Sequence, residues 1–116
     1  MGYDVHITRA KDWLDSKKQP IKLKEWLAYV ANDPEMRLDG VAEAHIDGQP
    51  VLTYENEGLA VWIGRSGHQE IRDMVWFDFR NGRVAVKNPS KEVLEKMKQI
   101  AAALGANVVG DEGELY

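Results

Sequence analysis

The only imidazoles in the chain are His6, His45 and His68. His6 and His45 fall in alternating segments that read as strands, each with a carboxylate two residues away, Asp4 and Glu43. Were those strands paired, two imidazoles and a carboxylate would converge as they do in open metal sites. The spacing carries no HExxH-like signature and outward strand histidines are commonplace, so neither a metal nor another cofactor is expected. His68 sits in the polar stretch Gly64 to Asp73 with Arg65, Ser66 and Glu70. A general base beside a nucleophile is the functional reading there, and a solvated loop is the plain one. GRSGHQE matches neither the GxxxxGK[ST] phosphate loop nor the GxGxxG dinucleotide turn, so both cradles are excluded. Without cysteine there are no disulfides, no thiolate chemistry and no cysteine zinc site.

The residues that must position any site are organised around Met74 to Lys87, MVWFDFRNGRVAVK. Asn81-Gly82 between two alternating apolar runs predicts a hairpin with a type I′ turn, whose central residues both need φ > 0. A two-residue loop then sets Arg80 opposite Arg83, Phe79 opposite Val84 and Asp78 opposite Ala85. Val75, Phe77, Phe79, Val84 and Val86 share one face, the core, and a one-residue slip would scatter them. Met74, Trp76, Asp78, Arg80, Arg83 and Lys87 share the other.

Before the hairpin, Tyr3 to Thr8 alternates as a strand with Tyr3, Val5 and Ile7 inward, and Asp12 to Pro20 is a polar loop holding Trp13 and Leu14. Leu23, Trp26, Leu27 and Val30 make a helix stripe stopped by Asn32-Asp33-Pro34. Lys22 is a poor N-cap, because it lacks a short side-chain oxygen, and Ile21 is placed to staple onto Trp26. Met36 and Leu38 read as a short apolar anchor. Val41 to Ile46 and Val51 to Tyr54 are strands joined by the turn Asp47 to Pro50. Leu59 to Ile63, apolar on both sides, reads as a strand covered on both faces. After the hairpin, Ser90 caps a helix with the stripe Val93, Leu94, Met97, Ile100, Ala101 and Leu104, ended by Gly105. Ala106 to Val109 would add a last strand before a flexible acidic stretch, Gly110 to Glu114. These elements predict one α+β domain over residues 1–116. Its sheet is single, mostly antiparallel and twisted, with five to seven strands and two helices on one face.

At 116 residues, with 44% hydrophobic and 29% charged residues, the chain has the make-up of one globular domain. A net charge of −4 without a basic stripe argues against nucleic acid as a partner. Lys17, Lys18, Lys22 and Lys24 cluster, but Asp12, Asp15 and Glu25 surround them. No apolar run reaches membrane-spanning length and no N-terminal h-region is present, so the expectation is a cytoplasmic protein without a membrane partner.

Of the four tryptophans, Trp26 belongs to a core stripe, whereas Trp76 falls on the mixed hairpin face. Tryptophan and arginine are enriched at interface hot spots, so Trp76, Asp78, Arg80 and Arg83, joined by Trp62, form the candidate binding patch. The competing reading covers Trp76 with a helix or loop. Arg80 and Arg83 oppose each other beside the turn, which is mildly destabilising. That repulsion is relieved either by an acidic group on a partner or by this chain's own Asp111, Glu112 and Glu114.

YDVHITR, EWLAYVANDPEMRLDG, LAVW, VWFDFRNGRVAVKNP and GDEGELY together resemble a group of small bacterial proteins of uncharacterised activity. The resemblance spans nearly the whole chain and implies a fold, with no catalytic residues to carry over. In size, acidity and α+β make-up the chain is also similar in type to immunity proteins of bacterial toxin systems. The expectation is therefore a non-enzymatic protein-binding domain of the immunity or inhibitor kind. A small-ligand-binding or accessory protein, using a pocket between sheet and helices, ranks second, and an enzyme using His68 or His45 third. Neither the partner nor the oligomeric state is legible in the sequence.

Overall fold

The computed structural model describes residues 3–39, 41–46, 49–55, 57–62 and 75–116, and at 41–46 and 49–55 the backbone alone. Its elements in chain order begin with β1 (Asp4–Thr8), a 3-10 helix (Trp13–Asp15), α1 (Leu23–Asn32) and β2 (Met36–Leu38). β3 (Val41–Ile46), β4 (Gln49–Glu55), β5 (Leu59–Trp62) and β6 (Val75–Arg80) follow. β7 (Arg83–Lys87), α2 (Lys91–Leu104) and β8 (Asn107–Gly110) complete the order. Six strands form one antiparallel sheet in the order β2-β5-β6-β7-β1-β8, and β3 pairs with β4 as a separate two-stranded ladder. The fold is α+β, with both helices contributing to one core against the larger sheet.

The hairpin forms as its turn dictates. Asn81 and Gly82 hold φ of 51° and 80°, and the register sets Asp78 opposite Ala85, Phe79 opposite Val84 and Arg80 opposite Arg83. Phe77, Val84 and Val86 are buried on the helix side with Val5 and Ile7 of β1. Phe79, expected in the core beside Phe77, is only half-buried, because it lies next to the turn and packs at the core's margin. There Gly58 fits against it so closely that a Cβ would fall 2.5 Å from that of Phe79. The neighbouring carbonyl of Gly58 accepts from Trp26 Nε1 at 2.7 Å, which ties α1 to the loop before β5.

α1 starts at Lys22 with no side-chain cap, and Ile21 and Trp26 are both fully buried around that bare end. α2 is capped at both ends: Ser90 Oγ accepts from the Val93 amide at 3.3 Å, and Gly105 closes it in the left-handed conformation at φ 65°. Its buried stripe is Val93, Met97, Ile100, Ala101 and Leu104, and it also includes Lys96.

Several segments differ from the sequence reading, and Trp13–Asp15, read as loop, is a 3-10 helix. Met36–Leu38 is a paired edge strand on β5, not just an anchor. Gln49 and Pro50 belong to β4 instead of the turn, while Asp47 and Gly48 lie outside the described residues. The acidic end is pinned, not loose. The Gly110 amide donates to the Glu114 carbonyl at 2.8 Å and the Tyr116 amide to Val108 at 2.9 Å, folding the tail along β8. Glu114 also takes the Tyr3 hydroxyl.

Candidate functional site

The face of the sheet away from the helices is set by register. Leu59 opposes Asp78, Asp78 opposes Ala85, Ala85 opposes His6, and His6 opposes Val109, so one row crosses five strands. A second row sets Val61 opposite Trp76, and Lys87 opposes Asp4 at the same end of the sheet. Leu59, Val61, Ala85 and Val109 are all buried, so this outer face has an apolar floor of its own. β5 is thus covered on both sides, as its uniformly apolar sequence requires.

On that floor opens a groove of about 310 Å³ lined by Asp4, Leu59, Trp76, Asp78, Arg80, Ala85 and Lys87. Trp76 is half-buried in its wall. Arg80 Nε donates to Asp78 Oδ2 at 2.9 Å, with a second contact from Nη2, so cation and carboxylate two residues apart on β6 form one rim element. Asp4 and Lys87, opposite in charge, stand directly across from each other in the β1–β7 register.

The patch expected from the sequence is therefore assembled only in part. Trp76, Asp78 and Arg80 line the groove together. Trp62 does not join them. Its partner in β6 is Val75, not Trp76, so the pleat turns it to the helix side, where it is buried with the Lys96 ammonium 5.8 Å from its ring centroid. Arg83 shares the outer face but is drawn the other way, along β7 towards β1.

What holds Arg83 is a closed network at the opposite side of that face. Arg83 Nε donates to His6 Nδ1 at 3.2 Å, and its guanidinium lies 4.9 Å from the Trp13 ring centroid. Trp13 stacks on His6 at 4.4 Å with an interplanar angle of 11°. His6 Nε2 donates to Asp111 Oδ1 at 2.8 Å, Trp13 Nε1 donates to the Asp111 carbonyl at 3.0 Å, and the Asp4 amide donates to Asp111 Oδ2 at 2.8 Å. Alongside, Thr8 and Ser16 hydroxyls meet at 2.8 Å and seat the 3-10 helix on β1. His6, expected to face water, is buried beneath Trp13 instead, because the loop after β1 folds over it. Burial pushes its imidazole below the ordinary histidine range; Arg83 adds to that, and Asp111 only partly offsets it.

The tail thus answers the sequence's question about the two arginines indirectly. Asp111 reaches Arg83 through His6, while Glu114 is spent on Tyr3 and on the Glu112 amide. The His6–His45 metal pairing does not form, since β1 pairs with β7 and β8 and β3 with β4. Among the described residues no three His, Asp or Glu side chains gather as a metal site, and no helix is long and apolar enough to cross a membrane. His68 and its loop lie outside the described residues, as does the side chain of His45.

Two groups escaped the sequence reading. Trp13 falls in a segment whose polar make-up reads as a loop, and an aromatic there that must come to rest somewhere is the available signal. Lys96 stands three residues after Val93 and one before Met97, squarely in the apolar stripe, a position from which it needs a buried counter-charge. No protein-family model, curated protein or solved structure matches the chain.

Proposed function

We propose that the chain is a non-enzymatic protein-binding domain that receives its partner on the outer sheet face, and that it acts as an immunity or inhibitor protein neutralising a bacterial toxin. The observation that carries the reading is the groove itself, a buried apolar floor of Leu59 and Ala85 walled by a half-buried tryptophan and rimmed by charges of both signs. An aromatic anchor at an apolar depression inside a polar rim is the arrangement of interface hot spots. His6, the histidine whose side chain is described, has both ring nitrogens committed to Arg83 and Asp111, which suits a structural role.

The test is to co-express the chain with the products of the genes flanking its own and titrate each purified pair by calorimetry. Relief of growth arrest together with a stoichiometric complex, both lost in Trp76→Ala, supports the reading. Flanking products that neither arrest growth nor bind contradict it.

A second reading has its own observation. Between sheet and helix, Val75, Trp76, Val86 and Lys87 meet Asn88, Pro89, Ser90 and Val93 around a depression of about 260 Å³. A small ligand there would raise the thermal midpoint of the protein and lose that effect on replacing Val93 with a larger side chain.

A further inference from the structure

The His6 network contains a conflict that only the neutral imidazole avoids. Nε2–H already points at the Asp111 carboxylate 2.8 Å away, so the proton on the neutral ring sits on Nε2 and Nδ1 offers its lone pair to Arg83 Nε–H. Arginine has no acceptor and does not lose its charge. A second proton on His6 must go to Nδ1, which would set two donors and two cations against each other across 3.2 Å. We propose that His6 is a proton-operated latch: taking a proton at Nδ1 expels Arg83 from the His6–Trp13 site and releases its guanidinium to solvent on the outer face.

The surroundings favour this outcome over departure of Asp111. Among the described residues the charged groups facing His6 are Asp4 from its own strand, Asp111 after β8 and Arg83 from β7, with Arg80 of β6 directly opposite Arg83; the 3-10 helix contributes the neutral Trp13. Both carboxylates gain when the imidazole becomes charged, so Asp111 stays. Arg83 alone is repelled. Asp111 is also tied down independently of the imidazole, accepting from the Asp4 amide and, at its carbonyl, from Trp13 Nε1. The acidified protein thus gains one positive charge, on His6, and turns a second that was already present, on Arg83, from the His6–Trp13 site out to solvent. Its appetite shifts towards acidic surfaces. This concerns the regulation of the face proposed above, but the latch itself is measured without any partner.

The experiment follows the His6 Cε1–H and Arg83 Nε–H resonances by NMR from pH 8 to pH 4.5. The latch predicts a His6 midpoint below the 6.5 of a free histidine and loss of the protected Arg83 signal at that same midpoint. In Arg83→Met, the His6 midpoint moves up, because Nδ1 is no longer occupied by a donor. In His6→Gln, whose amide both donates and accepts without titrating, Arg83 stays protected across the range. An Arg83 signal that persists through the His6 titration overturns the proposal, as does a His6 midpoint unmoved in Arg83→Met. Should His6→Gln fail to fold, the wild-type and Arg83→Met titrations decide between these outcomes alone.

Discussion

The ammonium of Lys96 lies 2.9 Å from Asp33 Oδ2, with 2% and 8% of the two side chains exposed, and this buried ion pair bolts the end of α1 to the middle of α2. Tyr29 donates its hydroxyl to the same carboxylate at 2.5 Å, and Glu35 receives a second Lys96 proton at 2.6 Å. Breaking such a pair from one side leaves a charge stranded in the interior. Lys96→Ala is expected to cost about 3–5 kcal/mol in urea unfolding. Lys96→Met combined with Asp33→Asn should recover part of that loss, since no lone charge remains. A Lys96→Ala midpoint equal to wild type would show that Asp33 finds another counter-charge.

Phe77 is fully buried at the centre of the sheet's helix side, and Phe77→Ala is expected to cost about 3–5 kcal/mol. Phe79→Ala should cost clearly less, because that ring is half-buried. Denaturant curves of the two variants side by side give the ranking.

Gly58 has ordinary backbone geometry but no room. A methyl there meets Phe79 Cβ at 2.5 Å and Leu23 Cδ1 at 3.2 Å, and the backbone cannot retreat without breaking the Trp26–Gly58 hydrogen bond. Gly58→Ala is expected to destabilise by about 1–3 kcal/mol. Thermal unfolding checks it, and Gly58→Ala with Phe79→Ala should be less than additive if the clash is the cause.

Stability should fall on acidification in two stages. Burial holds the His6 pKa below 6.5, so the unfolded chain takes up its proton first and stability is lost as pH drops below that value. Burial alone would raise Asp33 and Asp111. Tyr29 and Lys96 outweigh it at Asp33, the Asp4 amide and His6 at Asp111, and both carboxyls end below their ordinary range. Their contribution is present above about pH 4 and is lost as pH falls through the folded values. Thermal midpoints between pH 7.5 and pH 3 test this. His6→Gln should flatten the upper stage and leave the Asp33 part of the lower one.

The hairpin, the two caps of α2 and the core stripe were legible because each is a local rule. Asn81-Gly82 dictates a turn, the turn dictates a register, and the register sorts Phe77 from Asp78. The side to which Trp62 turns is not legible, because a strand apolar on both sides gives no hint of which face is which; only pairing with Val75 decides it. The burial of His6 is hidden for a related reason. Alternation correctly put it on the outer face, but nothing local announces that Trp13 and Asp111, far apart in sequence, close over it. Long-range closure also turned the acidic tail from a loose end into part of the fold.

Trp76 and its groove are proposed as the binding face. The most direct measurement is the calorimetric affinity of wild type and Trp76→Ala for a flanking-gene product that arrests growth, taken with the thermal midpoint of each. Trp76 is half-buried on the outer face and forms no part of the helix-side core. Affinity should fall at least about tenfold, about 1.4 kcal/mol, in a protein that still melts close to wild type. Unchanged affinity, or a variant that unfolds outright, would contradict it.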